Sequence, residues 1–108
     1  MYVLTQLDKL KIQLGIIDEE QDRALQLSLY DVKDDILTWT NRTELPQTLE
    51  SVQRQIAVIH YNKQGVEGQS SHSEGGISRS FEDLPQSIQN AINQKRLAKL
   101  VRYASSST

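Results

Sequence analysis

Cysteine is absent from this 108-residue chain, so no disulfide ties it to an oxidising compartment and no thiolate metal site can form. No apolar run approaches the roughly 18 residues that crossing a membrane requires, and no membrane partner is expected. The opening MYVLTQLDKLKIQLG carries Asp8, Lys9 and Lys11 inside its apolar pattern, unlike a signal peptide. A cytoplasmic protein is therefore the default expectation. The two histidines, His60 and His72, have no partner at H-x-x-x-H spacing, and H-E-x-x-H does not occur. Neither G-x-x-x-x-G-K-[ST] nor a G-x-G-x-x-G motif offers a phosphate cradle. No catalytic residue, metal or cofactor is expected, and the chain does not read as an enzyme.

What is present is helical periodicity. The expected fold class is all-α: a small bundle of about four helices with a long Gly/Ser-rich loop before the last one. Leu4, Leu7, Leu10 and Leu14 form one stripe of a first helix that Gly15 ends. Asp18, with Gln21 three residues on, predicts a capping box for a second helix from about Glu19 to Thr40. Its buried face is Ala24 or Leu25, then Leu29, Val32, Ile36 and Trp39. Pro46 suits the first turn of a third helix carrying Leu49, Val52, Ile56 and Ile59 to about Tyr61 or Asn62, with Gly65 as C-cap. A fourth starts at Pro85, with Ile88, Ala91, Ile92, Leu97, Leu100 and Val101 as its apolar set. The runs ELPQTLESV and DLPQSIQNAI share one helix-start solution, which is capping and not function. A single domain over residues 1–104, its loop at about 65–83, and a disordered tail at 105–108 complete the expected organisation.

Charge is unevenly placed. Residues 1–50 hold ten acids and five bases, and residues 51–108 hold four acids and seven bases. DVKDD groups Asp31, Asp34 and Asp35 within about one helical turn. With no phosphate cradle nearby, these acids read as a solvated face or an interface and not as a magnesium site. At the other end, Lys95, Arg96, Lys99 and Arg102 make a basic run whose interleaved Leu, Ala and Val read no base edges. It suits docking on an acidic partner, or complements a helix C-terminus. A small DNA-binding regulatory protein using that basic helix is the alternative function, and its phosphate-driven affinity would fall steeply with salt.

The segment from Tyr61 to Pro85 holds all but one of the five glycines. Such a polar, glycine-rich stretch cannot bury enough apolar area to order itself. GISRSF alternates within it, so a small β-hairpin is possible. If the segment is ordered, something outside its own subunit should hold it.

The run from Tyr61 to Ser78, of the form Y-N-x-x-G-x-E-G-x-x-S-x-S-E-G-G-x-S and followed by a Leu-Pro helix start, resembles the signature of the head–tail connector proteins of long-tailed double-stranded DNA phages. These are also called head-completion or DNA-packaging adaptor proteins. LGIIDEEQD, a second helix ending in TNR, and the following LP extend the resemblance over roughly residues 4–100. The resemblance implies a structural virion component with no catalytic activity or cofactor, at the head–tail interface of the virion and in the host cytoplasm during assembly. It implies a head-to-tail ring of about twelve copies below the portal, extending the DNA channel, receiving further connector or tail-completion proteins and helping to retain packaged DNA. DNA passes through without sequence-specific binding. Carried over by position, Asn62, Gly65, Glu67, Gly68, Ser71, Ser73, Glu74, Gly75, Gly76 and Ser78 belong to an assembly loop at a subunit or partner interface. Lys95, Arg96, Lys99 and Arg102 become candidates for docking on the portal or a neighbour. Asp31, Asp34 and Asp35 become candidates for an acidic interface or for the channel face.

Overall fold

A computed structural model describes residues 3–66 and 80–98, and among them it contains four α-helices and no strand. They are α1 (Gln6–Leu14), α2 (Asp22–Thr40), α3 (Glu50–Val66) and α4 (Gln86–Gln94). The all-α bundle read from the periodicity is therefore present. Helix α2 is the spine, packing on α1, α3 and α4, while α1 also packs on α3. It places Leu25, Leu29, Val32, Ile36 and Thr40 on one buried face at helical spacing. Leu10, Leu49, Val52, Ile56, Ala57, Leu84, Ile88 and Ile92 complete the same core.

The helix ends follow local chemistry, in places differently from expectation. The capping box lies at Thr5. Its hydroxyl accepts from the Asp8 N–H at 3.0 Å, and the Asp8 carboxylate accepts from the Thr5 N–H at 3.0 Å. Asp18 does not cap α2, because its carboxylate closes a local turn on the Glu20 N–H at 3.0 Å. The second helix therefore begins at Asp22, after an N-cap, Gln21, whose side chain makes no capping bond. Gly15 ends α1 at φ +75°, the left-handed conformation that glycine adopts without penalty. Leu4, expected on the apolar stripe, is exposed; Leu25 rather than Ala24 is buried.

Both prolines stand one step outside the helices they start. Pro46 and Pro85 are extended at ψ 144° and 148°, and each carbonyl accepts the first helical bond. Leu49 donates to Pro46 at 2.9 Å through a short 3-10 turn (Gln47–Leu49), and Ile88 donates to Pro85 at 3.0 Å. The shared motif thus buries Leu49 and Ile88 in equivalent ways, the capping role expected of it. Helix α3 continues through Gly65 to Val66, so Gly65 is not its cap. Helix α4 stops at Gln94, and Leu97 is exposed. The backbone N–H of Leu97 bonds to the Thr40 carbonyl of α2 instead of prolonging the helix.

A polar network locks α1 to α2 and α3. The Gln53 side chain is buried and donates to the Leu29 carbonyl at 2.8 Å, while its oxygen accepts from Gln6 at 2.8 Å. Gln6 also donates to the Glu50 carbonyl at 2.9 Å, and Arg54 donates to Gln6 at 2.9 Å and to Gln13 at 2.8 Å. On the opposite flank, Lys11 pairs with Asp22 at 2.6 Å.

Candidate assembly surfaces

The C-terminal end of α2 organises one side of the molecule. Asn41 adopts φ 58°, a left-handed conformation that asparagine tolerates better than most residues, and so turns the chain out of the helix. That turn frees the Thr40 carbonyl to accept from the Leu97 N–H at 2.8 Å. The Asn41 amide donates to the Leu97 carbonyl at 2.8 Å, and the Arg42 Nε donates to the Lys95 carbonyl at 2.7 Å. Three bonds from three consecutive residues therefore hold residues 95–97 across the end of α2. The partners are main-chain groups throughout, so the clamp fixes the path of the chain and not the identity of its side chains.

Next to the clamp, Trp39 meets Phe81 edge to face, with ring centroids 5.4 Å apart. Phe81 lies on a short 3-10 turn (Phe81–Asp83), where the chain is described again after Val66. Ser80 caps that turn: its hydroxyl accepts from the Glu82 N–H at 3.3 Å and donates to the Glu82 carboxylate at 2.6 Å. The Ser80 hydroxyl, followed by the Glu82 main-chain N–H, holds the Glu82 carboxyl below the usual glutamate value. Gln89 donates to the Leu84 carbonyl at 2.8 Å, tying the turn to α4. Trp39, Ser80, Phe81, Glu82, Asn93 and Arg96 together line an open cleft of about 360 Å³.

The opposite side of α2 presents Arg23, Leu27, Tyr30 and Asp34 at three- and four-residue spacing, all exposed. Leu27 and Tyr30 are 59% and 57% exposed, high for large apolar groups in the middle of a helix. Of the three clustered acids, Asp34 is exposed, while Asp31 and Asp35 are half-buried. Among the described residues no group of three His, Cys, Asp or Glu could hold a metal ion, and no helix is long and apolar enough to cross a membrane.

The predicted loop and basic residues are only partly described. Asn62 is exposed and Gly65 lies inside α3, at the point from which the Gly/Ser-rich segment departs. Glu67, Gly68, Ser71, Ser73, Glu74, Gly75, Gly76 and Ser78 lie outside the described residues, as do Lys99 and Arg102 and the hairpin suggested for GISRSF. Lys95 and Arg96 are not on a helix, contrary to expectation. Lys95 is the C-cap of α4, half-buried, and Arg96 is an exposed member of the clamped segment and of the cleft. The basic run thus starts as a strap across α2 and not as a recognition helix.

Comparison with protein families matches residues 4–96 to the phage gp6-like head-tail connector proteins. The chain belongs to that family. The match spans α1 to α4, the Gly/Ser-rich segment and the clamped residues up to Arg96. Membership supports a structural role, a place at the head–tail junction of a virion and contact with portal and tail proteins. No curated protein and no solved structure matched the connector chain.

The Gln6–Gln53–Arg54 network and the Asn41–Arg42 clamp were not legible in the sequence. Glutamine carries no pattern that separates a buried bridge from a solvated side chain. The TNR triplet at the end of α2 was the one available signal for the clamp.

Proposed function

We propose that this connector subunit assembles with copies of itself into a head-to-tail ring below the portal. There the ring extends the DNA channel, receives the next connector or tail-completion protein and helps retain packaged DNA. The family match over residues 4–96 is the observation that carries this reading. The described residues on either side of the Gly/Ser-rich segment support it: Asn62 and Gln64 before it and Ser80 after it are exposed, and Ser80 lines the cleft with Trp39. Asn62, Gly65, Glu67, Gly68, Ser71, Ser73, Glu74, Gly75, Gly76 and Ser78 then serve as the part that meets a neighbouring subunit or the portal. Glycines permit backbone paths closed to other residues, and the serines with Glu74 supply hydrogen bonds across an interface. Lys95, Arg96, Lys99 and Arg102 supply positive charge for a neighbour or the portal, and the clamp at Asn41 and Arg42 holds the first two of them. Asp31, Asp34 and Asp35 supply negative surface for an interface or for the wall along which DNA slides.

The test uses DNA-filled phage heads assembled without a connector. Added protein should bind heads that carry a portal and protect their DNA from nuclease. Equal binding to heads lacking the portal, or bound protein with no protection, would contradict the proposal.

A further inference from the structure

The exposed α2 stripe and the aromatic cleft stand on opposite sides of one helix, and each carries what the other lacks. Tyr30 and Trp39 are nine positions apart, which on an α-helix is a rotation of about 180° and a rise of about 13 Å. A subunit therefore cannot seat its own stripe in its own cleft. The stripe is amphipathic, with Leu27 and Tyr30 exposed between Arg23 at one end and Asp34 at the other, and Tyr30 also borders a shallow cleft with Lys33 and Glu44. The cleft is concave, with Trp39 and Phe81 as its apolar floor, Asn93 at its edge, and Glu82 and Arg96 as charges of opposite sign on its rim.

We infer that the α2 stripe of one copy docks into the Trp39–Phe81 cleft of a second copy, with Tyr30 seated on the two aromatic rings and Asp34 facing Arg96. Tyrosine, tryptophan and arginine are the side chains that concentrate binding energy at the centre of interfaces. The rings and the arginine suit a tyrosine through edge-to-face and cation–π contacts. Charge selects the occupant as well as its direction. Pairing Asp34 with Arg96 matches opposite signs, whereas an antiparallel seating brings Asp34 towards Glu82. Because stripe and cleft are different surfaces, the contact is heterologous: each copy accepts one neighbour and offers itself to another, the arrangement that builds rings or filaments and not two-fold dimers. The clamp contributes by holding Arg96 at the rim through its neighbours, since Lys95 and Leu97 on either side are bonded to Arg42, Asn41 and Thr40.

This contact rests on the connector proposal only in taking copies of the chain as neighbours. The test exploits the absence of cysteine. Lys33→Cys and Gln94→Cys, helix positions beside the contact that leave Tyr30 and the cleft lining intact, are made as separate full-length proteins, and their helical content is checked by circular dichroism. Treated with a short bis-maleimide, the mixture should give a covalent dimer that neither variant gives alone. A dimer from Lys33→Cys alone in equal yield would overturn the contact in favour of a two-fold α2 pairing. No mixed dimer would also overturn it, as expected if residues 67–79 or a different protein fill the cleft.

A second arm reads self-association of otherwise unaltered chains by sedimentation. Asp34→Arg and Arg96→Asp should each weaken it on the order of tenfold, and the two changes together in one chain should restore it. Weakening without restoration would overturn the pairing of these two charges. Heads that bind the wild-type protein while no mixed dimer forms would remove this contact and leave the connector proposal standing. A mixed dimer with no head binding would do the reverse.

Discussion

The Asn41 side-chain amide reaches the Leu97 carbonyl at 2.8 Å across 56 residues of sequence, and with Arg42 it decides where the chain goes after α4. One residue at the end of the longest helix thus performs two tasks: its left-handed backbone ends α2, and its side chain collects the strap. Residues 95–97, which would otherwise prolong an amphipathic helix, are instead bonded to the end of α2, with Arg96 in the cleft beside Trp39 and Phe81.

Asn41 is the first point of test. Asn41→Gly keeps the left-handed turn and removes the amide, which should cost about 1 kcal/mol, the net value of a typical hydrogen bond. Asn41→Ala loses the bond and the backbone preference together and should cost about 2 kcal/mol. Urea unfolding monitored by helical ellipticity measures both, and an alanine variant as stable as the glycine variant would show that the backbone turn is unimportant.

Gln53 is the second. It bridges Leu29 and Gln6 from a buried position, so Gln53→Ala opens a void and removes two bonds, at a cost of about 2–3 kcal/mol. The same denaturation experiment applies. A loss below about 0.5 kcal/mol, the scale of an ordinary surface change, would mean that the bridge is dispensable.

Gly15 separates steric need from backbone need. A Cβ built there meets nothing within 4 Å, so only φ +75° disfavours a side chain. Gly15→Ala should lower stability by about 1 kcal/mol, and Gly15→Asn by less, because asparagine tolerates that region. Equal losses for the two variants would argue against the backbone explanation.

Two charged groups carry pH dependence in opposite directions. Hydrogen bonding to Asp22 raises the Lys11 ammonium above the usual lysine value. The stability it brings is full below the unfolded lysine pKa and is lost as alkaline pH passes through the raised folded value. Glu82 is lowered by the Ser80 hydroxyl and its own N–H, so its contribution is present above the unfolded glutamate pKa and fades as pH falls through the depressed value. Ser80→Ala should move the Glu82 titration upward towards the usual range in a carboxyl-resolved NMR titration. A Glu82 curve unaffected by the substitution would remove the Ser80 cap as its cause.

The bundle was legible in the sequence because its helices bury aliphatics at regular spacing: Leu25, Leu29, Val32 and Ile36 announce α2 without help. Helix ends were harder, since they turn on single competing bonds. Asp18 has the right spacing for a cap yet closes its own turn with Glu20, and Thr5 caps α1 although its partner is the shorter Asp8. The end of α4 differs from expectation because the apolar spacing continues to Val101 in the sequence, while the backbone at Leu97 finds its acceptor in Thr40. The acids and bases of the candidate surfaces were visible by composition. Helical spacing alone puts Asp34 on the exposed stripe and Asp31 and Asp35 nearer the side of Trp39, whereas the cleft between Trp39 and Arg96 depends on where the chain returns after residue 79, and no local pattern records that.

The connector assignment itself is tested most directly by mass. The purified chain is weighed by native mass spectrometry alone and then mixed with its portal protein. The expected result is a large complex holding many copies of the chain per portal assembly, formed by the wild-type protein and lost when residues 67–79 are replaced by a short linker that leaves helical content intact. A wild-type chain whose mass is unchanged by the portal, or a linker variant that binds as well as the wild type, would contradict it.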